Sequence, residues 1–228
     1  MNILAIETST SLLSVACKRA DGITAEANLD GGFHHSENLI LLVKQVLDTL
    51  RLKRENIDLV ACGVGPGSFT GLRIGLAAVK GLALGFRKKI AGVSSLDIAA
   101  EGISIHSGDL AVILDARREM LYTAIYRFRE GSPKKILKDS LLTFEELAKR
   151  VSSKTVFCGN AIDAYGERIK ERFPGSHFLD KRFWNPEASS ILSLIQKKKG
   201  SIKYLSLSQL KPAYMRLSEA EERRKKRN

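Results

Sequence analysis

The sequence predicts an α/β fold of two lobes, each built as a βββαβα unit. Three observations predict it. Short apolar runs of strand length alternate with longer stretches of helical periodicity, and the same order of elements occurs twice. The two copies start about 107 residues apart, at Ile3 and Leu110. The 228 residues, 44% of them apolar, can bury the core of one large or two small domains and are too apolar for a disordered chain.

Taken in order, Asn2–Ile6 is a short apolar run that reads as a buried strand and Leu13–Lys18 is a second. Asp21-Gly22 is a hairpin signal leading into a third, Ile23–Leu29. Glu37–Leu50 carries Leu39, Leu42, Val43, Val46 and Leu50 at helical spacing; Ile57–Val64 is a strand and Ser68–Phe86 a second helix. The connection Ser94–Ile105 reads as a capped helical turn ending at Gly102. The order then returns: strands Leu110–Leu114 and Leu121–Phe128, a turn at Gly131-Ser132-Pro133, and strand Ile136–Leu142. A helix starts at Phe144 behind a Thr143/Glu146 capping box, followed by strand Thr155–Cys158 and helix Ala161–Phe173. Asn185 as N-cap, Pro186 at the first helical position and Gly200 beyond the end bracket a last helix. The expected division is an N-terminal lobe 1–103, a C-terminal lobe 104–210 and a basic tail 211–228.

The net charge of +12 is unevenly placed. Residues 1–86 hold 8 basic and 8 acidic side chains, whereas residues 87–228 hold 29 and 17. Arg87-Lys88-Lys89, Arg117, Arg118, Lys197-Lys198-Lys199 and Arg223–Arg227 supply the excess, as phosphate contacts or as a solvated surface. Aromatic residues are sparse at 7% and do not interleave with these runs, which argues against a base-reading module. Cys17, Cys62 and Cys158 are odd in number, far apart and form no CxxC, which suits a reducing cytoplasm and buried thiols. Met1–Cys17 has no basic start and carries Glu7, unlike a secretory leader, and Lys80 breaks the apolar run Ile74–Phe86. A cytoplasmic protein without a membrane span is expected.

The segment Gly63-Val64-Gly65-Pro66-Gly67-Ser68-Phe69-Thr70-Gly71-Leu72-Arg73-Ile74-Gly75 joins a strand to a helix through a glycine-rich turn. Backbone amides at such a turn can receive an anion. The phosphate-binding P-loop, however, needs Lys and then Ser or Thr after its last glycine, and Ser68-Phe69-Thr70 follows Gly67. A GxSxG nucleophile turn fails as well, because Pro66 and Thr70 flank Ser68. Gly67, Gly71 and Gly75 recur every four residues on one helix face, each less favourable than Ala by about 1 kcal/mol. Close packing against another element would compensate, either inside the subunit or across an interface.

Four stretches carry a specific resemblance: Ile3-Leu4-Ala5-Ile6-Glu7-Thr8-Ser9-Thr10, the Gly63–Gly75 segment, Asp115-Ala116-Arg117-Arg118 with Tyr122, and Pro212-Ala213-Tyr214-Met215-Arg216 with Glu219-Ala220-Glu221. Together, over residues 1 to about 222, the sequence resembles the TsaB (YeaZ) family, the bacterial partner subunit in synthesis of threonylcarbamoyladenosine on tRNA. The family is similar in fold to actin, sugar kinases and heat-shock ATPases, the duplicated arrangement reached above from element order.

The resemblance implies a non-catalytic scaffold or activator. It would pair with its catalytic paralogue TsaD, which holds metal and nucleotide, with the ATPase TsaE joining the pair, and with a second copy of itself when TsaD is absent. Contact with tRNA would be indirect or weak. The docking face would lie on the two N-terminal helices, at Leu39, Leu42, Val43, Val46, Phe69, Gly71, Leu72, Gly75 and Val79, so that Gly75→Arg would disrupt pairing and leave the fold soluble. By likeness to the superfamily, Thr8, Ser9, Thr10 and Ser11 mark a phosphate loop beside Glu7, with Asp115, Gly159 and Asn160 in the second half. Simple turn hydrogen bonds and an N-cap explain the same residues. No cofactor is expected in the isolated subunit; ATP or ADP with Mg belongs to the complex. The histidines His34, His35, His106 and His177 lack the two-on-one-face spacing of the metal-bearing paralogue and read as surface or loop residues, so no metal site is expected. The competing reading is an ATP-dependent phosphotransferase with Glu7 or Asp115 as base, and a third is an RNA-binding module.

Overall fold

In Ile3–Glu7 (β1) alternate residues decide the layering: Ile3 and Ala5 enter the core on one side of a sheet, Leu4 and Ile6 the core on the other. Such a strand must be covered on both faces. In the computed structural model, which describes residues 1–31, 34–197 and 202–216, it is the central strand of the first of two five-stranded sheets. Leu12–Lys18 (β2) runs antiparallel to β1, and Thr24–Asp30 (β3) antiparallel to β2. Gly22 takes the positive φ of 102° that the Asp21-Gly22 turn needs. On the other side Leu59–Gly63 (β4) and Lys89–Val93 (β5) add in parallel.

The second sheet repeats this plan with Gly108–Asp115 (β6), Met120–Arg129 (β7), Ser132–Thr143 (β8), Val156–Cys158 (β9) and His177–Phe178 (β10). Its order β10-β9-β6-β7-β8 matches β5-β4-β1-β2-β3 strand for strand. The duplication expected from element order is therefore present, with a fifth strand in each copy that the sequence reading omits. β5 opens on the basic run and is interrupted by Gly92, and β10 has two residues, so neither carries a strand signal of its own.

His35–Thr49 (α1) and Phe69–Phe86 (α2) cover one face of the first sheet, while Phe144–Ala148 (α4) and Ile162–Arg172 (α5) cover the matching face of the second. Between the lobes two helices cross over. Ser95–Glu101 (α3) follows the first sheet but sends Leu96, Ala99 and Ala100 into the core of the second. Ala188–Lys197 (α6) follows the second sheet but packs Ala188, Ile191, Leu192 and Ile195 onto Ile3, Ala5 and Ala61 of the first. Chain order thus does not settle which sheet a terminal helix covers, although it placed α6 within the stretch 104–210.

The capping signals divide. Ser94 caps α3 by accepting from Asp97 N, and the Thr143/Glu146 box is present in full at α4. Asn185 does not cap α6. That helix begins at Ala188, and its leading amides donate to Ser14 Oγ at 2.7 Å and Glu26 Oε1 at 2.9 Å, side chains of β2 and β3. A cap supplied from a strand far away in the chain leaves no local signal.

The segment 202–216 returns to the first lobe. Leu205 bridges Ile90 of β5, Leu210 is fully buried in the core under α1 and α2, and Ala213 N donates to Val64 O at 2.7 Å. Of the sequence expectations, those on Lys198, Lys199, Gly200, Glu219-Ala220-Glu221 and Arg223–Arg227 lie outside the described residues.

Candidate functional site

The β1–β2 turn and the glycine-rich segment fit into each other. Ser68 N donates to Ser9 O at 2.7 Å, and Ser68 Oγ caps α2 by accepting from Gly71 N. A Cβ at Gly67 would stand 2.4 Å from Ser9 O, one at Gly71 2.1 Å from Thr8 O, and one at Gly75 2.2 Å from Thr8 Oγ1. The glycine face of α2 is thus the seat of the chain's own Thr8–Ser9 turn, which resolves the open choice in favour of packing inside the subunit. Gly71, Leu72, Gly75 and Val79 are buried in this packing, and Leu39, Leu42, Val43 and Val46 lie in the core under α1. These residues lie on the sheet-facing side of the two helices, the side that helical spacing marks; Val43 alone among those of α1 also reaches the groove described below. Gly75→Arg would strike the Thr8 side chain, so its first effect is on the fold and not on pairing.

The predicted phosphate loop is closed by the same packing. Thr8, Ser9 and Thr10 are buried, and the amides of Thr8 and Ser9 donate to Glu7 Oε1 at 2.8 and 2.6 Å. Ser95 Oγ donates to Glu7 Oε2 at 3.2 Å, and the absence of a side chain at Gly63 leaves room for that carboxyl. Burial raises the Glu7 pKa above its ordinary value, against the opposing pull of hydrogen bonds from Ser9, Thr8 and Ser95. The backbone donors that would meet a phosphate are therefore already taken by a carboxyl of the chain itself. Buried and coordinated in this way, Glu7 has no reach toward a metal-bound water.

The equivalent turn of the second lobe is likewise occupied. Asp115 N donates to Asn160 Oδ1 at 2.9 Å, Arg117 N to Asp115 Oδ1 at 2.7 Å and Ala116 N to Met120 O at 3.1 Å. Gly159, at φ 117°, brings its backbone against Ile113, where a Cβ would stand 2.0 Å from Ile113 O. Asn160 thereby holds the end of β6. In this conformation the amides of Thr8, Ser9, Asp115, Ala116 and Arg117 are engaged within the chain. Among the described residues no three His, Cys, Asp or Glu side chains are placed to hold a metal.

What α1 and α2 do present is their outer side. Ile40 is 53%, Leu41 61% and Leu84 67% exposed, and Ala77, Gly81 and Gly85 lie beside Leu84 on the outside of α2, with open space where Cβ atoms would be at both glycines. A groove of about 630 Å³ beside the helices is lined on one side by Ile40, Val43, Leu47, Leu82 and Phe86 and on the other by charged residues of the α1 end and the connection to β4, among them Asp48, Arg51, Arg54 and Glu55. Val43 thus touches this surface from below. With 18 residues and a mean hydropathy of 1.3, α2 is apolar and long enough by composition to cross a membrane, but its inner side packs on the first sheet. Exposed Ile40, Leu41 and Leu84 were missed from the sequence because they fall outside the periodic set that marks the core.

Half-buried Phe69 marks a second surface, where the family motifs meet. Its ring stacks on Tyr214 with centroids 4.4 Å apart, the Arg73 guanidinium lies 3.8 Å over Phe69, and Arg73 Nε donates to Tyr214 OH at 3.0 Å. Two residues on, Arg216 Nη1 donates to Ala116 O at 2.8 Å. Residues 213–216 therefore tie the glycine-rich segment of one lobe to the Asp115 turn of the other.

Several basic residues have structural partners. Lys88 Nζ donates to Glu55 O, Lys89 sits 4.4 Å over the Tyr204 ring, Lys197 pairs with Glu101, and Arg117 pairs with Asp115. His35 is buried and contacts Thr10 O through Nε2 at 3.0 Å, a correction to its reading as a surface residue. All three cysteines are free and buried; burial pushes the Cys17 and Cys158 thiols up to about 12.

The fold and these turns define a duplicated α/β chain, two five-stranded sheets of the same strand order whose β1–β2 and β6–β7 turns are held by the chain's own side chains and backbone. The family model for TsaD, tRNA N6-adenosine threonylcarbamoyltransferase, matches residues 29–222. The tRNA threonylcarbamoyladenosine biosynthesis protein TsaB of Escherichia coli (strain K12) is 30% identical over 224 residues, 95% of this chain and 95% of the relative. TsaB of Bacillus subtilis (strain 168) is 29% identical over 224 residues, 97% of this chain and 96% of the relative. The solved structure of YeaZ from Pseudomonas aeruginosa superposes with a TM-score of 0.79 at 27% identity, covering 94% of this chain and 99% of that one. The chain belongs to the TsaB (YeaZ) family.

Proposed function

We propose that this chain is the non-catalytic scaffold of the assembly that places a threonylcarbamoyl group on tRNA adenosine, and that it docks on TsaD through the outer side of α1 and α2. As a member of its family it takes part in tRNA threonylcarbamoyladenosine biosynthesis. The observation that carries the scaffold reading is the apolar outer surface of these helices, with Leu84 67% exposed beside two glycines that admit a close neighbour. A match to the TsaD family model supports a pairing of two similar chains. The closed phosphate turns support a subunit that binds no nucleotide alone, so that ATP or ADP with Mg is held by TsaD or by the ATPase TsaE.

Self-pairing would use the same surface when TsaD is absent, and tRNA would be held mainly by the partner. The assembly would act in the cytoplasm. Reconstitution of tRNA modification from TsaD and its companions, with and without this chain, tests the reading. Product should form only when the chain is present, and Asp115→Asn should support it as well as the wild type. Binding of ATP with Mg by the isolated chain, with turnover of a small substrate, would replace this reading by that of a phosphotransferase.

A further inference from the structure

Phe69, Arg73 and Tyr214 form a surface stack that neither the core nor the docking surface explains. The Phe69 and Tyr214 rings lie 4.4 Å apart between centroids at an interplanar angle of 22°, and the Arg73 guanidinium sits 3.8 Å over the Phe69 ring. Tyr214 stays 41% exposed, with exposed Arg73 beside it. Arg73 stands near the start of α2 and Leu84 near its end, about 16 Å away along the helix axis.

Arg73 is held in place but not neutralised. Its Nε donates to Tyr214 OH at 3.0 Å and its plane rests on the Phe69 ring. Among the described residues no carboxylate pairs with it and no hydrogen bond engages its Nη atoms. A guanidinium fixed in this way offers paired donors to a phosphate at little further cost in side-chain ordering. Phe69 covers one face of Tyr214, which leaves ring surface open beside the cation. Single-stranded nucleic acids are bound on such arrangements, with a base stacked on the aromatic ring and the backbone following the positive charge. An acidic peptide would use Arg73 and leave the ring idle.

We propose that this stack holds one nucleotide of an unpaired RNA strand, the base against the Tyr214 ring and a phosphate on the Nη atoms of Arg73. The choice of RNA rests on the proposed place of the chain in tRNA modification. Stacking reads no base edge, so the contact is indifferent to base sequence. The three residues meet only in the fold, which is why no run of interleaved aromatic and basic residues announces them. The net charge of +12 favours the approach of a polyanion.

The test is fluorescence anisotropy of short, labelled single-stranded RNA titrated with the isolated full-length chain. TsaD is left out, so a failure here leaves the reconstitution result, and the scaffold reading with it, standing. Saturable binding is expected, weaker at about 200 mM than at about 50 mM salt. Tyr214→Ala and Arg73→Ala should each weaken it about tenfold, or about 1.4 kcal/mol. Tyr214→Phe keeps the ring and should bind about as tightly as the wild type, whereas Arg73→Lys keeps the charge without the planar fork and should bind weakly. Arg73 is exposed, so its variants test the site even where Tyr214→Ala loosens the returning segment. A glutamate-rich peptide of equal charge is the control. Absence of saturable RNA binding, RNA binding unchanged in both alanine variants, or peptide binding as tight as RNA binding overturns the proposal.

Discussion

The glycines of α2 show how one residue type serves opposite ends. At Gly71 the helix backbone touches the Thr8 carbonyl, and a methyl group there would stand 2.1 Å from that oxygen. At Gly81 nothing lies within 4 Å. Gly71→Ala should therefore destabilise the chain by about 1–3 kcal/mol through overpacking, while Gly81→Ala should stabilise the isolated chain by about 1 kcal/mol, both read from urea denaturation. The every-fourth-residue spacing was legible in the sequence. What the glycines pack against was not, because the Thr8 turn that fills the face lies far away in the chain.

Glu7 provides a second test at this scale. Its carboxyl titrates from 4.5 in the unfolded chain and from a higher value in the fold, so the folded state holds its proton more tightly. The associated stability is present below pH 4.5 and is lost as the pH rises through the folded-state value. Glu7→Gln keeps an acceptor for the Thr8 and Ser9 amides and removes the ionisation. The stability of Glu7→Gln relative to wild type should rise between pH 4.5 and neutrality, as measured by denaturation at a series of pH values.

Among the elements, α6 depends on another part of the chain for its start. Ala188 N donates to Ser14 Oγ of β2, so Ser14→Ala should cost about 1 kcal/mol, seen as a lower melting temperature. Strands β1, β2 and β4 were readable as short continuous apolar runs, β3 from the Asp21-Gly22 turn before it, and helices α1 and α2 from the 3.6 period of their apolar residues. β5 and β10 were not, since each is made by pairing with a neighbour that is already in place. The same periodicity does not reveal the outer side of α1 and α2. It reports the side that faces the sheet, where Leu39 and Val46 belong, whereas Leu41 and Leu84 are recognised only once that side is known to be filled.

For the molecule as a whole, the crossing of α3 and α6 and the return of residues 202–216 join two similar halves into one body. A polar cluster reinforces the junction: Tyr126 OH donates to Asp97 at 2.8 Å, Ser94 Oγ donates to Asp139 at 2.6 Å, and Lys135 pairs with Asp97 and Asp139. The returning segment belongs to the first-lobe core, so Leu210→Ala should cost about 2–5 kcal/mol in urea denaturation, a penalty no free tail would show. The duplicated order was legible from the sequence, and so were the family motifs. Their convergence at Tyr214 and Arg216 was not, since no local pattern joins residues 69, 116 and 214. Of the basic residues that supply the +12 charge, Lys88, Lys89, Lys197 and Arg117 have partners inside the chain.

In the proposed complex with TsaD this chain contributes the outer side of α1 and α2. Sedimentation velocity of an equimolar mixture with TsaD, comparing the wild type with Leu84→Glu, tests it most directly. We expect a single heterodimer boundary with the wild type and two separate species with Leu84→Glu, whose melting temperature should match the wild type because Leu84 is 67% exposed. A heterodimer that forms equally well with Leu84→Glu would contradict the claim.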